Sequence, residues 1–121
     1  IDRSRGLGDV YKRQERSFEQ DVYELVRAIP SGRVTSYGAI ARVLGSVQAS
    51  RRVGWVLNKS LGVKPRLPVH RVVNRMGVLT GETHFPADRP MVEMLQAEGV
   101  EVRNSTVVDF DKVFWNPMTE L

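Results

Sequence analysis

The apolar positions of this chain change their period several times, and each change marks an element. Phe18, Val22, Leu25, Val26 and Ile29 recur at steps that put them on one helical face. Ser17, with Gln20 three residues on, makes a capping box at the start of that helix, and Pro30-Ser31-Gly32 stops it. Val34 reads as a short extended link. Thr35 or Ser36 caps a second helix with an apolar stripe of Ile40, Ala41 and Leu44, closed by Gly45 in the left-handed region. After a turn at Ser46-Val47-Gln48, a third helix is expected from about Ala49 to Ser60, with Val53, Val56 and Leu57 facing inward. Leu67 to Val73 is mostly apolar and extended. Asn74-Arg75-Met76-Gly77 turns it and Val78-Leu79 runs back, which predicts a β-wing. Pro90, Met91, Met94, Leu95 and then Glu98-Gly99 mark a fourth helix. Val100-Glu101-Val102 and Val107-Val108-Asp109-Phe110 suggest a terminal hairpin.

Two short helices joined by a tight turn, after a longer one, read as a helix-turn-helix. With the wing, the expected fold is mostly α with a small β element: a winged helix-turn-helix. Residues 1–14 show no useful periodicity and read as a disordered lead or a remnant extraneous to the fold, leaving 15–121 as the domain.

Composition narrows the chemistry. With 121 residues, a mass of 13.7 kDa and 41% hydrophobic positions, there is one core and little room for a second. Cysteine is absent, which excludes disulfide scaffolds, thiolate-ligated zinc and a catalytic thiolate. His70 and His84 are the only histidines, so no His-rich metal site is expected, and no cofactor either. No apolar run approaches the roughly 18 to 20 residues that span a bilayer, and no secretory h-region opens the chain. No membrane partner is therefore expected, and a reducing intracellular compartment is the default: cytoplasmic and nucleoid-associated in a bacterium, nuclear in a eukaryote.

Charge is distributed unevenly. From Leu25 to Gly81 there is no acidic residue, yet the stretch holds ten bases: Arg27, Arg33, Arg42, Arg51, Arg52, Lys59, Lys64, Arg66, Arg71 and Arg75. From Glu82 onward, Arg89, Arg103 and Lys112 stand against eight acids. Such a field attracts polyanions, nucleic acid foremost. Arg51 and Arg52 lie in the first turn of the third helix, where they oppose the helix dipole, so a ligand explains them better than the helix does.

Three motifs now carry a resemblance. Ile29-Pro30-Ser31-Gly32-Arg33-Val34-Thr35-Ser36-Tyr37-Gly38-Ala39-Ile40-Ala41 resembles the opening of the DNA-binding domain of O6-alkylguanine-DNA alkyltransferases. Arg51-Arg52-Val53-Gly54 is similar to the start of that family's recognition helix, and Pro68-Val69-His70-Arg71-Val72-Val73 resembles its active-site Pro-Cys-His-Arg-Val. The likeness runs from about Phe18 to Gly99. Val69 stands where the nucleophilic cysteine belongs, and an isopropyl group cannot attack an alkyl carbon. The chain therefore resembles the alkyltransferase-like proteins, which keep the damage-binding site without the acceptor. Phe114-Trp115-Asn116-Pro117 is similar to the C-terminus of that subgroup. Many of its members carry Trp at the lost cysteine, whereas Val here implies a roomier pocket.

The resemblance implies a non-enzymatic sensor, expected as a monomer, that grips O6-alkylguanine in double-stranded DNA from the minor groove and marks it for nucleotide excision repair proteins. Tyr37 would crowd the phosphate and rotate the base out, with Ser36 beside it. Arg51 would intercalate as the finger, with Arg52 as the alternative. Pro68, Val69 and His70 would line the alkyl pocket, supported by Arg71 and Glu98. The family's lesion-binding loop is replaced by Thr80-Gly81-Glu82-Thr83-His84-Phe85, and Asn58-Lys59 only loosely matches a family asparagine. Trp55 reads as a core anchor in preference to a DNA-facing aromatic. The competing readings are a winged-helix transcriptional or architectural DNA binder and a base hydrolase using Glu98 and His70.

Overall fold

Local hydrogen bonds start the first helix, α1 (Phe18–Ala28), in the computed structural model, which describes residues 17–45, 47–61 and 66–121. The Ser17 hydroxyl accepts from the Gln20 N–H at 3.0 Å, and the Gln20 side chain accepts from the Ser17 N–H at 3.1 Å. Both bonds of the expected capping box are thus made. The reading of residues 1–14, the turn residue Ser46 and the base Lys64 lie outside the described residues.

The chain continues through β1 (Thr35–Ser36) directly into α2 (Tyr37–Val43). Ser36, rather than Thr35, is the cap: its hydroxyl accepts from the Ala39 N–H at 3.0 Å. Gly45 takes a φ of +88°, and a single 3-10 turn at Val47–Ala49 leads to α3 (Ser50–Ser60). α3 packs on both α1 and α2. The central cluster holds Val22, Leu25, Val26 and Ile29 of the first helix region, Ile40 and Ala41, then Val53, Val56 and Leu57, with Val69, Val72 and Trp115 completing it.

The expected wing forms differently. Val69–Arg71 is a 3-10 turn, so only β2 (Val72–Val73) is extended. β2 does not pair back on Val78-Leu79. It runs parallel to β1, with Thr35 opposite Val72 and Ser36 opposite Val73. The turn itself is present: the Asn74 side chain accepts from the N–H groups of Met76 (2.9 Å) and Val78 (2.8 Å). Gly77 sits at φ +82°, where an added Cβ would meet the Phe110 ring at 3.2 Å, so only glycine fits without a shift. Val78 then bridges to Thr106, and the Leu79 N–H reaches Ser105. Long-range pairing wins because it lets both faces of the strand be buried, with Val72 1% and Val73 0% exposed.

A fourth helix, α4 (Met91–Ala97), follows the 3-10 turn Glu82–His84. The terminal hairpin is β3 (Val102–Arg103) against β4 (Thr106–Val107). Asn104 and Ser105, both at positive φ, form its two-residue turn, as the twist of a hairpin prefers. Phe110 leaves the hairpin and starts α5 (Phe110–Val113), and α6 (Pro117–Glu120) ends the chain. A second cluster of Val34, Val73, Leu79, Met91, Leu95, Val100 and Val107 joins the hairpin to α4.

Candidate nucleic-acid interface

The outer face of α3 forms one wall of an open cleft of about 340 Å³. Ser50, Arg51, Gly54, Trp55 and Asn58 line that wall, and Tyr37, Thr80, Gly81 and His84 line the rest. Arg51, Trp55 and Asn58 are spaced four and three apart, so they stand above one another on the helix. The Tyr37 ring is held between two glycines. An added Cβ at Gly54 would lie 3.8 Å from the ring, and one at Gly81 only 3.0 Å from the phenol oxygen. Burial raises the Tyr37 pKa, against the opposing hydrogen bond with Thr80, so the phenol stays protonated and able to donate at neutral pH.

The two neighbouring arginines go different ways. Arg51 faces the cleft. The Arg52 guanidinium lies 4.2 Å from the centre of the Phe18 ring, a cation–π contact that ties α3 to α1. Other bases of the acid-free stretch are paired within the protein. Arg33 binds the carbonyls of Val113 and Phe114 and the Glu120 carboxylate. Lys59 pairs with Glu19 at 3.1 Å. The positive field outside the protein therefore comes from fewer residues than the count of bases suggests.

Behind the cleft, Glu98 organises the segment before β2. Its carboxylate accepts from Arg71 Nη2 at 2.7 Å and Nε at 3.0 and 3.1 Å, from His70 Nε2 at 2.7 Å and from the Gly32 N–H at 3.1 Å. Arg71 Nη1 also donates to the Ile29 carbonyl at 2.7 Å. Burial alone would push Glu98 up, but these donors outweigh it and hold its pKa at about 2. Burial also lowers the His70 pKa, more than Glu98 raises it. A carboxylate can only accept, so the neutral imidazole carries its proton on Nε2. Its Nδ1 is buried and has no hydrogen-bond partner among the described residues. The group fixes the end of α1, the Val69–Arg71 turn and the end of α4 relative to one another.

The expected site residues thus separate into two sets. Tyr37 and Arg51 come together at the cleft. Ser36 is 6% exposed with its hydroxyl oxygen engaged as the α2 cap, which keeps it out of the cleft lining. Arg52 is turned onto Phe18. Pro68, Val69 and His70 do not line the cleft either: Val69 is 7% exposed, inside the cluster against which Tyr37 packs, and His70 is spent on Glu98. Arg71 and Glu98 form the support just described.

One expectation is overturned. Trp55 is no core anchor: it is 76% exposed, while Trp115 is 3% exposed and fills the core. The signal was available in the 3.6-residue period, because Trp55 falls on the side of the helix away from Val53, Val56 and Leu57. Asn58, Thr80, Gly81 and His84 are the further cleft residues, and the last three come from a loop whose sequence has no periodicity to read. Among the described residues no cluster of three or more His, Asp or Glu side chains could hold a metal, and no helix is long and apolar enough to cross a membrane.

Known proteins resemble this chain in sequence and fold. A family model described as 6-O-methylguanine DNA methyltransferase, DNA binding domain, matches residues 17–100. A DNA base-flipping protein of Escherichia coli is 46% identical over 105 residues, which cover 85% of this chain and 78% of that one. Alkyltransferase-like protein 1 of Schizosaccharomyces pombe is 31% identical over 104 residues, covering 83% and 95% of the two chains. The solved structure of S. pombe Atl1 in complex with damaged DNA containing O6-carboxymethylguanine matches with a TM-score of 0.69 at 30% identity, covering 81% of this chain and 94% of that one. The O6-methylguanine methyltransferase of Mycobacterium tuberculosis matches with a TM-score of 0.54 at 31% identity, over 69% of this chain and 48% of that longer one. A helix-turn-helix that carries the family's motifs in order, on the family's fold and without a cysteine, identifies the chain as a member of the O6-methylguanine-DNA methyltransferase DNA-binding family, in its alkyltransferase-like branch.

Proposed function

We propose that this protein binds duplex DNA through α3 and holds an extruded O6-alkylguanine without repairing it. The observation that carries the reading is Tyr37 and Arg51 lining one open cleft, in a chain with no cysteine. The relatives named for base flipping and for damaged DNA support it. Phosphate contacts from the exposed bases supply affinity that falls steeply with salt. α3 enters the minor groove, where readout is nearly blind to sequence, as a search for damage anywhere requires. The Tyr37 phenol crowds and donates to a backbone phosphate, and the Arg51 guanidinium takes the place of the extruded base.

Extrusion costs a few kcal/mol and less where pairing is already spoiled, as O6-alkylation does to guanine. Each methylene then removed from water adds about 0.8 kcal/mol. Tyr37, Thr80 and Gly81 meet the alkyl group first. Val69, in the position of the acceptor cysteine, lies behind them in the core. With no thiolate to accept the group, the complex persists as a mark, and we assign its readers to nucleotide excision repair. Only 15–121 is needed for this, as a monomer inside the compartment that holds the DNA.

The test is a titration of an O6-methylguanine duplex beside its unmodified twin at two salt concentrations. Tighter binding of the alkylated duplex at both, with the alkyl group still on the DNA afterwards, is expected. Equal affinities would leave a DNA binder without interest in damage, and loss of the alkyl group would make the protein an enzyme.

A further inference from the structure

Trp55 has the properties of a ligand-binding group without any assigned role. An indole 76% exposed forgoes the burial that the other large apolar side chains of α3 obtain. Tryptophans left at a surface concentrate at binding hot spots, because a large rigid ring gains much on contact at little entropic cost. Its surroundings indicate the partner. The helix SRRVGWVLNKS has no acidic residue, and Arg51 stands one turn before Trp55 on the same cleft wall. A polyanion whose interior offers flat apolar faces fits that combination, and a base stack behind phosphates has both.

Spacing gives the placement. Side chains four apart on a helix stand about 6 Å apart at Cβ, between one and two of the steps of about 3.4 Å in a nucleic-acid strand. A group at Arg51 that fills the place of an extruded base puts Trp55 beside a base flanking the gap. We propose that Trp55 is a second wedge, stacking on a nucleobase next to the site of extrusion and holding the opened step apart. This rests on the cleft being the DNA site but not on any preference for alkylated bases. Stacking is indifferent to base identity, so the contact serves plain and damaged duplexes alike.

The experiment uses the full chain with an unmodified duplex and an O6-methylguanine duplex. Of the two tryptophans, Trp115 is sealed in the core, so a change of emission on adding DNA reports Trp55. Both duplexes are expected to quench it. Trp55→Ala should weaken binding to both by roughly ten- to a hundredfold, and Trp55→Phe, which keeps a ring, by about threefold or less. The dependence of affinity on salt should be unchanged in either variant, since no phosphate contact is lost. Unquenched emission, wild-type affinity in Trp55→Ala, or a flattened salt dependence in that variant would overturn the inference. Equal affinities of the wild type for the two duplexes would sink the damage reading alone, and quenching with the Trp55→Ala loss would still support the wedge.

Discussion

Replacing Glu98 by Gln keeps the shape of the side chain and removes its charge. In the fold the carboxylate receives Arg71, His70 and the Gly32 N–H, at distances from 2.7 to 3.1 Å. A carboxyl carried from 4.5 in the open chain to about 2 in the fold contributes about 3 kcal/mol at neutral pH. Breaking a buried pair from one side costs about 3–5 kcal/mol, and the amide oxygen can still accept one or two of the bonds, so about 3 kcal/mol is the expected loss. In a domain of this size that lowers the melting temperature by roughly 10 °C.

The sign of the pH dependence follows from both groups. Glu98 is lowered in the fold, so below 4.5 the unfolded chain takes up the proton first and stability is lost as pH falls toward about 2. His70 is lowered as well, so the loss of stability with acid already begins as pH drops through 6.5. Glu98→Gln removes the lower limb. Urea unfolding followed by circular dichroism, at about pH 7 and about pH 3, measures the gap between wild type and variant. The gap should be near 3 kcal/mol at the higher pH and shrink markedly at the lower one. A gap under about 1 kcal/mol at neutral pH, or one that does not change with pH, would refute the electrostatic account of this cluster.

Gly81→Ala places a methyl group 3.0 Å from the Tyr37 phenol oxygen, so the ring must shift. Binding of alkylated duplex should weaken about tenfold, the effect of about 1.4 kcal/mol, with little change in thermal stability; unaltered binding would show that the position of Tyr37 is unimportant. The two adjacent arginines should part company. Arg51→Ala is expected to lower DNA affinity and the signal of a fluorescent base analogue at the lesion, while Arg52→Ala loses the contact over Phe18 and costs about 0.5–1 kcal/mol of stability. A reversed pattern, with extrusion lost in the Arg52 variant, would move the finger by one residue.

Much of this molecule is legible along the chain because its determinants are neighbours. The Ser17–Gln20 box, the Ser36 cap and Gly45 act within three or four residues, and the helices lie almost where those signals put them. The order of the motifs carried the family, and the acid-free stretch the sign of the field. Tertiary structure decided the rest, wherever a choice depended on groups far apart. Val72-Val73 had a turn that suited a hairpin, yet it pairs with Thr35-Ser36, an arrangement that buries both valines. Arg33 reads as part of the basic field until the fold brings Glu120 to it, and Arg71, expected as a support, gains its partners Glu98 and the Ile29 carbonyl only in the fold. Val69 sits behind Tyr37 rather than in the open, and Thr80, Gly81 and His84 become a cleft wall only when packing swings their loop against α3. Hydrogen-bond caps and helical periods are short-range and survive in one dimension; the partner of a buried charge and the second wall of a cleft are long-range, and exist only once the chain has closed on itself.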